Sequence, residues 1–387
     1  MSELFIPKSD LDYMIRIRRE IHEYPEVGFD LEHTLMVVKR ELDAMGIEST
    51  NKYQESSLVG YIGPEDAKKV IGIRTDMDAL PLTETTGLPF ASKIPGKMHA
   101  CGHDCHTAVL LGIAKALKPL EKTLKCRVKL IFQPAEEVAP SGGRLMVEKG
   151  LLDDVTEVFT MHVTVGRDSG TIMLNKANMN ASCHTFKIMI HGKSAHAAAP
   201  QNGIDAIALA NRIYYSIQQM RAREIGAFEP VVVGIGEIHG GAVHNIISDY
   251  AELTGTVRAH SQKVEDLTYR RINEIAENAC REVGATCEVK WNEYMPPAWN
   301  DPELAQKIID IAGDMLGKDK VLDKPLGMGA EDFSYYVEKV RGARFLWGVH
   351  EPGTPRTAGH NGNFMVDEST FTIPADIYIR YVLENQE

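Results

Sequence analysis

The segment at residues 98–106, Met-His-Ala-Cys-Gly-His-Asp-Cys-His, places two cysteines and three histidines within nine residues. Two adjacent glutamates, Glu136 and Glu137, follow about thirty residues later. Thiolate, imidazole and carboxylate groups are ligands of transition metals, and a soft thiolate favours zinc-like metals over magnesium. Adjacent side chains at a strand end point in different directions, so one glutamate can bind metal while the other transfers protons. The pattern predicts a metal centre with a carboxylate base beside it.

Other parts of the chain supply further candidate ligands. Cys101 and His103 are separated by one residue and can face one cavity, although the pair alone would be better explained as a buried cysteine and a core histidine. His162 ends the apolar run at 158–161, and His360 lies in a Gly-His-Asn-Gly loop. All of these residues fall in predicted loops at strand ends of one sheet. With one of the two glutamates they make more ligands than a single tetrahedral zinc requires, which suits two metals about 3.5–4 Å apart that share a hydroxide.

The first part of the chain alternates helix-like and strand-like segments, which would position these residues. Helical periodicity is found at 11–23, 31–45 and 107–117, and apolar strands at 70–74, 126–133 and 158–163. Such alternation predicts an α/β domain with a largely parallel sheet. Open sheets of this kind have their ligand sites where the strands end.

A different order of segments begins near residue 183. Strands and helices follow one another as β-α-β-β-α-β, at 185–191, 206–221, 231–238, 249–259, 264–283 and 285–291. This order is the ferredoxin-like arrangement. The α/β pattern then returns with a helix at 303–316 and a strand at 344–349. We therefore predict a discontinuous catalytic, metal-binding domain at 1–182 and 295–387, interrupted by an inserted lid or dimerisation domain at 183–294.

Composition narrows the class of protein. A chain of 387 residues is expected to form two domains, and its net charge of -12 argues against binding of nucleic acid. Residues 1–7 show no secretory signal, and no run of eighteen apolar residues is present, so we expect no membrane association. Six cysteines are too few for a disulfide framework in a chain of this length, which favours the reducing cytoplasm.

The chain resembles, nearly end to end, the metal-dependent amidohydrolases that include hippurate hydrolase, N-acyl-amino-acid amidohydrolases and the auxin-conjugate (IAA-amino acid) hydrolases. These are relatives of the dinuclear zinc carboxypeptidases and aminoacylases. The resemblance rests on six motifs that occur in the family's order, at 18–26 (RREIHEYPE), 74–81 (RTDMDALP), 101–104 (CGHD), 133–137 (QPAEE), 194–198 (SAHAA) and 328–333 (MGAEDF).

The resemblance implies specific roles around the metal. Two divalent ions per subunit (zinc, manganese, cobalt or nickel) would be held by Cys101, His103, Glu137, His162 and His360. Glu136 would be the general base, and Asp78 matches a position that orients a metal ligand. Two departures from the family are Cys105, where glycine is usual, and the loop after His360, where proline is common. We interpret Cys105 as a buried filler, and His99 and His106 as framework.

The resemblance also implies a substrate side in the small domain. His196 would stabilise the oxyanion of the tetrahedral intermediate, and in many relatives it comes from the other subunit. Asn245 and Arg258 match positions that hold substrate, and a guanidinium can bind an amino-acid carboxylate through two hydrogen bonds. The exposed edge of the ferredoxin-like sheet could pair with its copy, which predicts a homodimer or a dimer-based oligomer.

The leading interpretation is hydrolysis of an N-acyl-amino acid to a carboxylate and an amino acid. A dipeptidase or carboxypeptidase with the same metal centre is the nearest alternative. A zinc dehydrogenase would need a dinucleotide-binding fingerprint, and residues 234–239 lack its third glycine. A metal-stabilised, non-catalytic binding protein for amino-acid derivatives is the alternative outside enzymes, but it would have no need for Glu136.

Overall fold

A computed structural model describes residues 6–387, so the prediction made from residues 1–7 falls mostly outside the described residues. The chain divides into two compact units. The first comprises the residues up to Met179, Trp299–Pro325 and Tyr335–Glu387, and the second comprises Asn180–Ala298 and Leu326–Ser334. Among the helices of residues 6–387, none has the length and apolar character needed to cross a membrane.

Helices and strands are numbered in chain order. The helices are α1 (Lys8–Glu23), α2 (Glu32–Ala44), α3 (His103–Leu117), α4 (Gly142–Glu148), α5 (Ala206–Arg223), α6 (Gln262–Arg281), α7 (Pro302–Leu316), α8 (Ser334–Val337) and α9 (Thr372–Glu384). The strands are β1 (Ser49–Thr50), β2 (Leu58–Ile62), β3 (Val70–Asp76), β4 (Arg127–Gln133), β5 (Glu157–Asp168), β6 (Ile172–Leu174), β7 (Asn178–Asn180), β8 (Cys183–His191), β9 (Ala195–His196), β10 (Val231–Gly240), β11 (Ile246–Ile247), β12 (Tyr250–Ala259), β13 (Thr286–Met295), β14 (Ala298–Trp299), β15 (Val321–Asp323) and β16 (Gly342–His350).

The first unit is built on an eight-stranded sheet with the order β1-β2-β4-β3-β5-β16-β6-β15. Its central strands β4, β3, β5 and β16 run parallel to one another, and antiparallel pairs occur toward the edges. This confirms the prediction of an α/β domain with a largely parallel sheet. Helix α3 packs against β3, α1 and α9 and is buried along nearly its whole length. Its first turn is therefore buried as well, close to the ends of the central strands.

The second unit has a four-stranded antiparallel sheet with the order β10-β12-β8-β13. The four strands of this sheet and helices α5 and α6 follow along the chain as β8-α5-β10-β12-α6-β13, which is the ferredoxin-like arrangement. Alternate residues of β8 and β12 point into a core shared with α5 and α6, as the two-residue period of a half-buried strand requires. Strand β10 forms one edge of this sheet, and its last five residues are exposed.

Candidate metal centre

The segment before α3 brings Cys101 and His103 beside strand β5. Gly102, between them, has a φ of +86°, and a Cβ atom there would lie 2.4 Å from Cγ2 of Val163. Only glycine combines this backbone conformation with so close an approach. As a result, Cys101 Sγ lies 3.4 Å from His162 Nε2, and His103 is the first residue of α3.

The prediction that all of the candidate ligands lie in loops is wrong for His103 and His162. Helix α3 begins at His103 rather than at residue 107, and β5 continues to Asp168. Strand β5 is longer than predicted because it stays paired with β16 as far as His350↔Asp168. Its pairing with β3 nevertheless stops at Arg74↔Thr160, so His162 lies two residues beyond the last residue of β5 that pairs with β3.

Asp78 holds the two adjacent glutamates by their backbone. Its Oδ1 accepts a hydrogen bond from the N–H of Glu136 (2.9 Å), and its Oδ2 accepts one from the N–H of Glu137 (3.1 Å). The residue before them, Ala135, is buried and has a φ of +56°, a left-handed conformation that is unfavourable for alanine. The Asp78 carboxylate thus stabilises a sharp backbone turn that presents two consecutive carboxylates.

His360 reaches the same place from the C-terminal part of the chain. Its Nε2 lies 3.2 Å from Glu137 Oε1, and its backbone N–H donates to the carbonyl of Ala100 (2.9 Å). Like Ala135, His360 has a φ of +56°. Strained backbone of this kind is typical of functional sites, where the surrounding contacts hold it.

All five predicted ligands therefore lie together in the first unit. Their donor atoms form two groups within which all distances are below 4.8 Å: Cys101, His103 and His162 form one group, and Cys101, Glu137 and His360 form the other. Cys101 belongs to both groups. Glu136 is in neither of them, but its carboxylate lies within 4.8 Å of donor atoms of His103 and Glu137.

The predicted substrate residues lie in the second unit. The carbonyl of Asn245 accepts a hydrogen bond from the N–H of Ala197, next to His196, so the structure brings these two sites together. His196 is exposed in β9, and its Nδ1 accepts a hydrogen bond from the N–H of Ala198. Arg258 is partly buried in β12, and its Nη1 donates to the carbonyl of Met328 (3.0 Å).

The family can be recognised from the chain as a whole. A family model described as Peptidase family M20/M25/M40 matches residues 72–384. The chain belongs to this family. An IAA-amino acid hydrolase of Arabidopsis thaliana is 37% identical over 385 residues, which cover 96% of this chain and 86% of that protein. An N-acetylcysteine deacetylase of Bacillus subtilis is 37% identical over 366 residues, which cover 94% of each chain.

A solved structure of the family is similar throughout. It is the crystal structure of a Bacillus subtilis protein described as a dinuclear metal-binding peptidase of the M20 family. That protein is 33% identical, with a TM-score of 0.85 over 98% of this chain and 99% of the other. These comparisons confirm the resemblance to metal-dependent amidohydrolases. The chain is a hydrolase that acts on amide bonds, and the ligand groups around Cys101 support binding of divalent metal.

The chemistry of the donors in this M20 chain fits such an ion. His103 is fully buried, and its ring nitrogens lie 3.5 Å from Asp78 Oδ1 and 3.8 Å from Asp76 Oδ2. Within residues 6–387 they make no hydrogen bond of proper geometry. Desolvation raises the pKa of the Cys101 thiol and lowers the pKa of His162 well below its usual value. Desolvation would also raise the pKa of Glu137, but the contact with His360 outweighs it and the net shift is downward. A divalent cation would satisfy His103 and favour the thiolate over the thiol.

Sequence reasoning missed the residues that support the first turn of α3. Asp104 is fully buried, and its Oδ2 lies 2.7 Å from both Arg18 Nε and His22 Nδ1. Burial alone would raise the pKa of Asp104, but Arg18 and His22 lower it well below its usual value. The motif at 18–26 was the available signal, because two of its basic residues lie one helical turn apart, at i and i+4. Cys105 is fully buried, which is consistent with a filler.

Proposed function

We propose that this protein hydrolyses the amide bond of N-acyl-L-amino acids with the help of two divalent metal ions and Glu136. The observation that carries the proposal is the pair of ligand groups that share Cys101, with one carboxylate beside them and outside both. A single ion would leave part of this five-residue set unused. The family relationship to hydrolases of IAA-amino acids and of N-acetylcysteine supports the substrate class.

The metal ligands in this proposal are Cys101, His103, Glu137, His162 and His360. Bound divalent ions supply Lewis acidity and lower the pKa of water. The mixed set of thiolate, imidazole and carboxylate is compatible with zinc, manganese, cobalt or nickel. Each ligand is held by contacts of its own, such as the backbone hydrogen bond from His360 to Ala100.

Glu136 is the proposed general base. Asp78 fixes its backbone N–H, and its carboxylate lies beside His103 and Glu137. Glu137 has His360 as a close partner, which suits a ligand, whereas Glu136 belongs to neither of the groups around Cys101. Glu136 would accept a proton from the attacking water and return it to the leaving amine.

We further propose that His196, Asn245 and Arg258 bind substrate. The guanidinium of Arg258 has five N–H donors, of which one is used by the carbonyl of Met328. A carboxylate of an amino acid could bind two of the others. His196 is exposed on β9 and would stabilise negative charge on the amide oxygen.

The test of the mechanism is Glu136→Gln, which keeps the size of the side chain and removes the base. We expect a loss of turnover of about 10²–10⁴-fold with metal content unchanged. Glu148→Gln, at an exposed glutamate of α4, is the matched control and should retain full activity. Full activity in Glu136→Gln would disprove the role of Glu136. A wild-type protein inactive on every acyl-amino acid would favour a non-catalytic binding protein.

A dipeptidase or carboxypeptidase is the second candidate, because the structurally similar Bacillus subtilis protein is described as a peptidase. It would use the same metal centre and differ only in the shape of the substrate pocket. Values of kcat/KM for N-acetyl and N-benzoyl amino acids, compared with dipeptides, distinguish the two. Higher values for dipeptides would replace the acyl-amino-acid proposal.

We also propose a cytoplasmic homodimer that forms through the second unit. The six cysteines are free thiols, which suits a reducing compartment. Strand β10 is a sheet edge on which Ile238 is 51% exposed and Val232 is 38% exposed. An exposed edge strand with apolar side chains can pair with its copy about a two-fold axis. Sedimentation at micromolar concentration would detect the dimer.

A further inference from the structure

His106 is a fully buried histidine whose two ring nitrogens both have partners. Nε2 lies 3.1 Å from the backbone nitrogen of Val163, and Nδ1 lies 2.5 Å from Asp76 Oδ1. A backbone N–H can only donate, so Nε2 of His106 must carry the lone pair. The proton is therefore on Nδ1, which donates to the Asp76 carboxylate.

The partner of His106 is the residue that follows the proposed metal ligand His162. Pairing of β3 with β5 ends at Thr160, so the N–H of Val163 has no partner in β3 and is satisfied by His106 instead. The carbonyl of Val163 accepts a hydrogen bond from Nδ1 of His162 (2.7 Å). A carbonyl can only accept, which places the proton of His162 on Nδ1 and the lone pair on Nε2, the atom that faces Cys101 Sγ at 3.4 Å.

We infer that His106, oriented by Asp76, is a positioning residue for the metal centre. It holds the backbone N–H of Val163 in place, and the carbonyl of the same residue sets the tautomer and direction of the His162 ring. The inference rests on the proposed function, because it takes His162 to be a metal ligand. It replaces the interpretation of His106 as mere framework.

A direct role for His106 in metal binding is the competing explanation. Donor atoms of Asp76, His103 and His106 lie within 4.8 Å of one another and could in principle surround an ion. Both ring nitrogens of His106 are already engaged, however, one as a donor to Asp76 and one as an acceptor from Val163. No lone pair is left for a cation, so the geometry favours positioning over ligation.

Two amide replacements distinguish the roles of the two ring nitrogens. The amide oxygen of His106→Gln can occupy the place of Nε2 and accept the Val163 N–H. The amide of His106→Asn reaches only the place of Nδ1 and leaves the Val163 N–H without an acceptor. The control is His99→Leu, because His99 is equally buried in the same segment and its ring makes no hydrogen bond among residues 6–387.

The measurements are the affinity for Co²⁺ by competition with a chromogenic chelator, the number of ions bound, and the absorption spectrum of the Co²⁺-loaded protein. Thermal unfolding of the metal-free proteins checks the fold. We expect His106→Asn to weaken Co²⁺ binding by about 10- to 100-fold with an altered spectrum, and His106→Gln to stay within about threefold of wild type. His99→Leu should bind as wild type does.

Three results would overturn the inference. Equal losses of Co²⁺ affinity in His106→Gln and His106→Asn would show that the hydrogen-bond acceptor at Nε2 does not determine metal binding. Unchanged affinity and spectrum in His106→Asn would show that the Val163 contact does not position His162. If a His106 variant binds fewer Co²⁺ ions and holds the remaining ions with wild-type affinity, His106 is a metal ligand. If the wild-type protein binds no divalent ion, the proposed function fails. That measurement uses the wild type alone and is therefore distinct from the test of His106.

Discussion

Replacing Asp78 by asparagine tests whether one carboxylate positions the adjacent glutamates. Asp78 accepts two backbone hydrogen bonds with two different oxygens, at 2.9 and 3.1 Å. Asparagine has one carbonyl oxygen, so its amide group would face the second N–H as donor against donor. Because a hydrogen bond to a charged acceptor contributes about 1.5–3 kcal/mol and an unpaired buried donor is costly, we expect a total loss of about 2–3 kcal/mol.

This loss corresponds to about 30- to 150-fold in an equilibrium constant. It will be divided between two quantities, the free energy of unfolding of the metal-free protein and the affinity for metal. Urea unfolding measures the first and competition with a chelator measures the second. If Asp78→Asn matches wild type within twofold in both the equilibrium constant of unfolding and the affinity for metal, the carboxylate does not hold the turn and the reasoning is refuted.

Asp205→Asn is the matched control for the chemistry. Asp205 caps α5 by accepting two consecutive backbone hydrogen bonds, from Ile207 and Ala208, with the single atom Oδ1. Asparagine retains that oxygen and is as good as aspartate at this position of a helix. We therefore expect the control to change stability by less than about 0.5 kcal/mol, and metal affinity not at all.

Three further perturbations have definite expected results. Because burial raises the pKa of the Cys101 thiol, binding of metal by its thiolate in the proposed centre would release a proton. Metal affinity should therefore rise with pH over the whole range in which the thiol is protonated, and Cys101→Ala should lower the calorimetric proton release by about one. Ala135→Gly should raise the unfolding free energy of the metal-free protein by about 1 kcal/mol, since glycine tolerates a φ of +56°, and a lower urea midpoint would contradict this. Arg258→Ala should raise KM for acyl-amino acids far more than for their amides, and equal increases would exclude a carboxylate clamp.

The central strands of the fold could be predicted from sequence because they are continuous apolar runs. The run at 126–133 corresponds to Arg127–Gln133, and the run at 70–74 extends to Asp76. Short strands such as Ile172–Leu174 and Val321–Asp323 were not indicated. They form by pairing with each other in the sheet, so their conformation depends on distant parts of the chain.

In the candidate site, too, some features follow from the local sequence and others depend on distant parts of the chain. Ligand types could be read from residue chemistry, and the family resemblance selected among them. The role of His106 could not be predicted from the sequence, because it depends on where β3 stops pairing with β5. Beyond that point the N–H of Val163 has no partner in β3. The early start of α3 likewise depends on Arg18, which contacts Asp104 from 86 positions away in the chain.

In the proposed metal centre, both ligand groups depend on the single sulfur atom of Cys101. Oxidation of its sulfur to a sulfenic or sulfinic acid would take a donor from both groups at once, so damage to a molecule would be complete rather than partial. The thiolate is the form that oxidants attack. Since burial raises the pKa of the thiol, the metal-free chain favours the protonated sulfur, which oxidants attack less readily than the thiolate.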